Sequence, residues 1–166
     1  MSGGDGDDFI DGGELSGFVR QDLSGGTGND VVIGAGLDRI SGGSGDDVLV
    51  AQNGGTNDWD AQILIGGSGS DLFVVEDMTS LAPGEYRVEI LDFNGLEDRL
   101  VLDLPDGGSA TNLRLTVLDD SYVQIECRGV PVTTLRGVNL TDLSVGDILL
   151  RDTSEDGYDY AQIVAG

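Results

Sequence analysis

The chain has 166 residues and a formal net charge of −23, from 31 acidic residues against eight arginines and no lysine. A chain of this length can bury a core as one domain or two small ones. Its charge excludes the basic surfaces that nucleic acids and anionic membranes require, and it needs cations for neutralisation. The absence of histidine excludes His-dependent catalytic triads and zinc motifs.

Other exclusions follow from the distribution of apolar residues. No stretch approaches the roughly 18 apolar residues of a membrane helix, and no basic-then-apolar signal peptide opens the chain. Cys127 is the single cysteine, so the chain has no internal disulfide. The 39% hydrophobic content argues against disorder of the whole molecule.

Glycine divides the chain. Residues 1–75 hold 19 of the 28 glycines, whereas residues 76–166 hold nine and alternate like ordinary strands. We therefore predict a Gly-rich domain over 1–75 and a second region over 76–166, with the boundary near Val75.

The Gly-rich part contains a repeat. Between its regular copies lie three irregular segments, 12–24, 34–41 and 51–65, whose apolar stretches centre on Leu23, Ile40 and Leu64. Counting these segments as degenerate copies predicts about seven repeats. The four regular copies are GGDGDDFID (3–11), GGTGNDVVI (25–33), GGSGDDVLV (42–50) and GGSGSDLFV (66–74).

The nine-residue template indicates a metal site. Its glycines permit positive φ and close backbone approach, so that carbonyl oxygens can turn inward, and the sixth position adds an aspartate. Hard oxygen ligands favour calcium. A phosphate loop would need GxGxxG before a helix or GxxxxGK[ST], and the chain has neither. A metal-free Gly-rich solenoid remains the alternative.

The eighth position of each copy is apolar, so it predicts a short inward-facing strand that becomes a core only when repeats stack. These residues are Ile10, Val32, Leu49 and Phe73.

This pattern resembles the RTX family of secreted bacterial proteins, whose nonapeptide GGxGxDxUx winds into a β-roll. The resemblance implies an all-β chain, with a right-handed parallel β-roll followed by an antiparallel β cap. Two repeats make one coil in that fold, so the four regular loops would lie on one edge. About three calcium ions would lie between successive loops there, with one or two more left open.

The resemblance also implies the ligands. Asp8, Asp30, Asp47 and Asp71 would supply carboxylates, and backbone carbonyls of the first four positions of each loop would supply most of the other ligands. The fifth positions are included among the candidate ligands. On the opposite edge only Asp38 is in phase, and we expect at most one weaker site, with Asp58 or Asp60 as further candidates. The remaining loop positions are Gly3, Gly4, Asp5, Gly6, Asp7, Gly25, Gly26, Thr27, Gly28, Asn29, Gly42, Gly43, Ser44, Gly45, Asp46, Gly66, Gly67, Ser68, Gly69 and Ser70.

Alternating strands follow Glu85: YRVEILDF, DRLVLDL, LRLTVL and YVQIECR predict an antiparallel sheet with one face on a core. We also predict a short helical turn near 140–144. By resemblance to segments that follow RTX rolls, Asp92 and Asp98 are further candidate ligands. VNLTDLSVGDILL resembles the C-terminal regions that type I secretion machinery reads.

Taken together, these features predict a non-enzymatic calcium module of a secreted or cell-surface bacterial protein, which folds on calcium binding after type I export. Because a regular loop begins at Gly3, we expect the chain to be the C-terminal part of a longer protein. An adhesive or glycan-binding module, with Trp59 as a contact residue, is the alternative, and an accessory fragment of a secreted enzyme is a third. Acidic pairs such as Asp7 and Asp8 do not by themselves indicate glycosidase chemistry in so acidic a chain.

Overall fold

The computed structural model describes residues 1–13, 19–52, 61–76, 88–104, 113–119, 122–127, 129–138, 143–144 and 147–152. These residues form β strands joined by tight turns, and no helix among them is long and apolar enough to cross a membrane. Trp59, Asp58, Asp60 and most of the helical turn predicted near 140–144 lie outside the described residues. The strands are β1 Ser2–Asp5, β2 Phe9–Asp11, β3 Asp22–Thr27, β4 Val31–Ala35, β5 Arg39–Ser44, β6 Val48–Gln52, β7 Gln62–Ser68, β8 Leu72–Val75, β9 Val88–Ile90, β10 Arg99–Leu104, β11 Leu113–Asp119, β12 Tyr122–Cys127, β13 Val130–Arg136 and β14 Ile148–Asp152.

Successive strands of the Gly-rich part alternate between two sheets. One sheet has the order β1-β3-β5-β7-β9-β13-β12-β11, and the other has the order β14-β10-β8-β6-β4-β2. Neighbouring strands pair in parallel from β1 to β9 and from β2 to β10. Each coil therefore contributes one strand to each sheet, which confirms the predicted all-β parallel roll.

The regular repeats stack in phase. Gly4 pairs with Gly26, Gly26 with Gly43, and Gly43 with Gly67. Since the four strands containing these glycines lie side by side, the turns that follow them meet on one edge of the roll. The structure thus confirms that the four regular loops share an edge.

The space between the sheets is filled as the repeat predicts. The eighth-position residues Ile10, Val32, Leu49 and Phe73 are buried in one cluster. Leu23, Ile40 and Leu64 of the irregular segments meet them from the other sheet and are equally buried. One coil contributes two such side chains, so stacking of coils creates the core.

The six-stranded sheet is apolar on its other face as well. Ile33, Val48, Val50, Val74 and Val101 form a second buried cluster there. Unbroken apolar runs such as VLV and LFVV are typical of strands that are covered on both faces. The sequence analysis considered only the eighth position and missed this second layer.

The antiparallel arrangement predicted for the second half is only partly right. β11, β12 and β13 do form an antiparallel meander. However, β9 and β10 extend the two sheets of the roll in parallel, because residues 91–98 turn between the sheets instead of forming a hairpin. Both sheets therefore continue past Val75, while the division into two domains there stays a prediction.

Two exposed arginines link the end of the roll to the elements after it. Arg136 of β13 pairs with Glu89 of β9 at 3.1 Å and stacks over Tyr122 at 4.9 Å. Glu89 is the main reason why the pKa of Arg136 is raised. Arg99 pairs with Asp147 at 3.4 Å. Because the arginine of each pair is about half exposed, these pairs contribute on the order of 1 kcal/mol or less, so they orient these strands more than they stabilise them.

Candidate metal centre

The sixth-position aspartates form a hydrogen-bonded column along the edge that carries the regular loops, here called the aspartate edge. The backbone N–H of each donates to Oδ1 of the aspartate in the following coil. The N···Oδ1 distances are 2.8 Å for Asp8 to Asp30, 2.8 Å for Asp30 to Asp47, 3.0 Å for Asp47 to Asp71 and 3.0 Å for Asp71 to Asp98. Asp98 is thus the fifth member of the column.

The second carboxylate oxygen of the first three aspartates is not satisfied by protein. Oδ2 of Asp8, Asp30 and Asp47 is buried and accepts no hydrogen bond. Asp30 and Asp47 are each only 1% exposed. Burial of a charged oxygen without a donor costs roughly several kcal/mol, so these oxygens favour a bound cation.

Burial also shifts the titration of this column. Desolvation raises the pKa of Asp47 to about 6, and the charges of Asp30 and Asp46 add to the shift. Desolvation and the charges of Asp98, Asp47 and Asp92 raise the pKa of Asp71 to about 7. The pKa of Asp98 is raised as well, mainly by burial. The carboxyls of Asp47, Asp71 and Asp98 therefore resist ionisation more than exposed carboxyls do.

The first glycine of each repeat lies against the aspartate of its own repeat. A Cβ on any of these glycines would overlap that carboxylate. Only glycine leaves room for the aspartate to fold back under the strand, which explains the first position of the template. These glycines are Gly3, Gly25, Gly42 and Gly66.

The glycines at the second and fourth positions of each repeat have positive φ and bring backbone oxygens between the loops. Gly26 has φ 128° and Gly43 has φ 124°. A Cβ on Gly26 would overlap the carbonyl oxygen of Gly4, and one on Gly43 would overlap that of Gly26. Fourth-position oxygens are placed similarly, since a Cβ on Gly45 would overlap the carbonyl oxygen of Gly28. Carbonyl oxygens therefore line the gaps between successive loops.

This donor set fits calcium. Calcium takes about six to eight hard oxygen ligands, which include backbone carbonyls and carboxylates. Within the described ranges no three His, Cys, Asp or Glu side chains converge on one point. A site here therefore depends on backbone oxygens with one or two carboxylates, as the Gly-rich template predicts.

The aspartate of the opposite edge has different hydrogen-bond partners. Oδ1 of Asp38 accepts from the backbone N–H of Gln21 at 2.7 Å. Oδ2 accepts from the N–H of Ala35 at 3.1 Å and from Nε2 of Gln21 at 3.5 Å. Both oxygens of this buried carboxylate thus have protein donors. Gln21, Asp38 and Gln62 occupy equivalent positions in successive coils.

The fifth coil closes the aspartate edge with protein donors. Asp92 accepts from the N–H groups of Gly66 at 3.0 Å and Gly67 at 2.9 Å. Oδ2 of Asp98 accepts from the N–H of Asn94 at 2.8 Å. Asp92 and Asp98, which were proposed only by resemblance, therefore both contact the fourth regular loop.

One set of residues acts in a way that the sequence analysis missed. The fifth-position side chains were counted only within the loop ligands, but those of the first three loops accept hydrogen bonds from the next loop. The available signal was that every fifth position carries a short hydrogen-bonding side chain, namely Asp7, Asn29, Asp46 and Ser70.

The parallel coils, the stacked glycine turns and the buried carboxylates define a calcium-binding β-roll. Residues 1–18 and 22–49 match the model of the RTX calcium-binding nonapeptide repeat, in four copies. This match confirms the predicted resemblance to RTX repeats over these residues, and repeats of that family bind calcium.

Two of the solved structures that are similar to the chain come from one enzyme. The solution structure of the AlgE6R3 subunit of the Azotobacter vinelandii mannuronan C5-epimerase is 24% identical over 94% of this chain and 86% of that one, with a TM-score of 0.46. The AlgE6R2 subunit of the same enzyme is 24% identical over 94% and 95% of the two chains, with a TM-score of 0.37. No curated protein matches the chain.

Proposed function

We propose that this chain is a calcium-triggered folding module of a larger secreted protein. The observation that supports the proposal most strongly is the set of buried Oδ2 atoms on Asp8, Asp30 and Asp47, which accept no hydrogen bond from the protein. In the absence of a cation these carboxylates oppose the fold, and a bound cation would remove that opposition.

The calcium ions belong between successive regular loops of the aspartate edge, about three in all. Asp8, Asp30, Asp47 and Asp71 would supply carboxylate oxygens, and the loop glycines would supply carbonyl oxygens. Asp47 lies between two gaps and would serve both. We assign no ion to Asp38, because both of its oxygens already accept hydrogen bonds.

Calcium would control folding through linkage. An ion that binds only the folded state stabilises it by RT ln(1 + [L]/Kd) for each site. Extracellular calcium modules commonly have affinities of about 10⁻⁴ to 10⁻³ M, which leaves them empty at cytosolic calcium levels. The chain would then remain unfolded inside the cell and fold outside.

Such behaviour suits type I export, in which an unfolded chain passes to the exterior and folds there. The resemblance of VNLTDLSVGDILL to secretion-signal regions supports this route. The fifth coil offers a starting point for folding, because Asp92 and Asp98 hold the fourth loop with protein hydrogen bonds. The remaining loops would add to this template as calcium binds, and the module itself performs no catalysis.

Circular dichroism of the purified chain tests the proposal. We expect a disordered spectrum in EDTA and a β spectrum after excess calcium is added, with magnesium as the control ion. A β spectrum that is the same with and without calcium would refute calcium-triggered folding.

A further inference from the structure

The fifth-position side chains lie on the outer side of the aspartate edge. All four are exposed to solvent, whereas the aspartates that follow them in the second, third and fourth loops are buried. Neighbouring residues of one loop therefore face different environments. The exposed residues are Asp7, Asn29, Asp46 and Ser70.

These side chains form a second column of hydrogen bonds. Oδ1 of Asp7 accepts from the N–H of Asn29 at 2.8 Å. Oδ1 of Asn29 accepts from the N–H of Asp46 at 2.9 Å, and Oδ1 of Asp46 accepts from the N–H of Ser70 at 2.8 Å. Each of these acceptors belongs to the earlier loop and its donor to the later one.

The sixth-position column runs in the opposite sense. There the earlier loop donates, as when the N–H of Asp30 donates to Asp47. Successive loops are therefore joined by two oppositely directed bonds from adjacent residues. This double connection fixes the spacing between loops and prevents one loop from sliding along the next.

The next loop is shaped to receive the fifth-position side chain. A Cβ on Gly45 would lie 2.8 Å from Oδ1 of Asn29, and one on Gly69 would lie 3.0 Å from Oδ1 of Asp46. The glycine at the fourth position of the following repeat thus leaves the space in which this oxygen reaches its donor.

We propose that the fifth-position side chains are couplers between neighbouring calcium loops and act as positioning residues instead of calcium ligands. The inference rests on the proposed function, because it assigns the coupling to the gaps in which calcium would bind. An ion that orders one gap fixes both of its loops, and the fifth-position bond passes that order to the next gap. Binding at neighbouring gaps is then cooperative, and the coupling is reciprocal.

Charge is not needed for this role. Asn29 is neutral, yet it occupies the same place in the column and makes the same bond as Asp7 and Asp46. An amide oxygen accepts a hydrogen bond as a carboxylate does.

The column ends at the fourth loop. Ser70 donates its backbone N–H to Asp46, but no bond from its hydroxyl is found within the described residues. Ser70 is therefore a natural control, since it has the same position in its loop without the coupling bond.

The experiment compares calcium titrations of the whole chain with Asp46→Asn, Asp46→Ala and Ser70→Ala. Folding is followed by circular dichroism, and the number of bound ions is measured by calorimetry. Asp46→Ala should raise the calcium midpoint about twofold, because the loss of one hydrogen bond is spread over about three bound ions, and it should lower the Hill coefficient. Asp46→Asn and Ser70→Ala should keep the wild-type Hill coefficient, and all variants should bind the same number of ions.

Three results would overturn the coupling. The first is that Asp46→Asn behaves like Asp46→Ala, which would make the carboxylate charge essential, and the second is that Asp46→Ala behaves like Ser70→Ala. Loss of a bound ion in Asp46→Ala would also overturn it, because Asp46 would then be a ligand. If Asp46→Ala does not fold, Asp46→Ser takes its place, since it copies the side chain of Ser70.

Failure of the proposed function gives a different result. A wild-type chain that is already folded in EDTA refutes calcium triggering, and the coupling is then measured as the midpoint of thermal unfolding. A midpoint for Asp46→Ala that lies several degrees below that of Ser70→Ala would still support it, whereas equal midpoints would overturn it.

Discussion

The two edges of the roll both bury aspartate, but they satisfy it in different ways. Asp30 and Asp47 on the aspartate edge and Asp38 on the opposite edge are each 1% exposed. Asp38 accepts hydrogen bonds at both oxygens from Gln21 and Ala35. Oδ2 of Asp30 and of Asp47 accepts none.

This difference shows that position in the repeat does not by itself identify a metal ligand. Asp38 lies in phase with the equivalent residues of its edge, but both of its oxygens already accept hydrogen bonds, from Gln21 and from Ala35. On the aspartate edge the neighbours are glycines, which supply carbonyl oxygens and no competing side-chain donors. The availability of the oxygen separates a structural aspartate from a candidate ligand.

The largest difference between the two edges is expected in calcium binding, when one aspartate on each edge is replaced by asparagine. Asp47→Asn removes a carboxylate shared by two gaps, so it should raise the calcium concentration for half-folding more than tenfold and lower the number of bound ions. Asp38→Asn should leave that number unchanged. Calorimetric titration measures both quantities, and equal losses in the two variants would remove the distinction between the edges.

Glycine replacements compare the strain and packing of the stacked loops. Gly26→Ala places a methyl group on the carbonyl oxygen of Gly4, whereas Gly4 has a similar φ of 117° and open space at its Cβ. Gly4→Ala should cost about 1–3 kcal/mol of unfolding free energy from strain alone. Gly26→Ala should cost at least about 2 kcal/mol more, because backbone must move. Urea unfolding in saturating calcium measures both, and equal losses would mean that the loops are not closely stacked.

The calcium-free chain, which we expect to be disordered at neutral pH, should gain folded structure as pH falls, because of the carboxyls of the aspartate edge. Burial raises the pKa of Asp47 to about 6 and of Asp71 to about 7. The folded state therefore holds protons that the unfolded chain releases above about pH 4. Stability is fully present below that pH and is lost as pH rises toward 7, with a slope of order 1 kcal/mol per pH unit.

Calcium should reverse this slope, because it binds the ionised carboxylates. Affinity should rise between about pH 5 and 7 while calcium-free stability falls. Circular dichroism in EDTA follows the calcium-free trend across this range, and calcium titrations at each pH follow the affinity. Parallel trends in the two conditions would show that the ion and the protons do not compete for the same oxygens.

The smallest effect is expected on the opposite edge. Gln21→Ala removes the side-chain bonds to the carbonyl of Gly12 and to Asp38, which should cost about 1 kcal/mol. The loss should be the same with low and saturating calcium, because this edge depends on protein donors. Chemical denaturation at two calcium concentrations tests it, and a loss that grows with calcium would indicate an ion at Asp38.

Most of the roll could be predicted from the sequence because the residue types within each repeat determine its local geometry. The paired glycines mark the turns, and Ile10, Val32 and Leu49 mark the inward positions. The alternation of regular and irregular repeats, combined with two repeats per coil, placed the four loops on one edge. The turns and the inward positions depend on neighbouring residues, so they can be read from the chain directly, whereas the number of repeats per coil came from the family resemblance.

What the sequence did not reveal depends on pairing over longer distances. Residues 88–90 and 99–104 alternate like hairpin strands, but each pairs in parallel with a strand more than 20 residues earlier. The fifth-position column was also hidden, because Asp, Asn and Ser differ as residue types and share only the ability to accept a hydrogen bond. The assignment of Asp98 came from resemblance, and its place in the column became visible only in three dimensions.

The most direct test of the central claim is a crystal structure of the chain grown with calcium, in which anomalous scattering locates the ions. We predict ions between successive loops of the aspartate edge, with the carboxylate of Asp47 among their ligands and none bound to Asp38. Ions on the Asp38 edge alone, or a folded aspartate edge without calcium, would contradict the account.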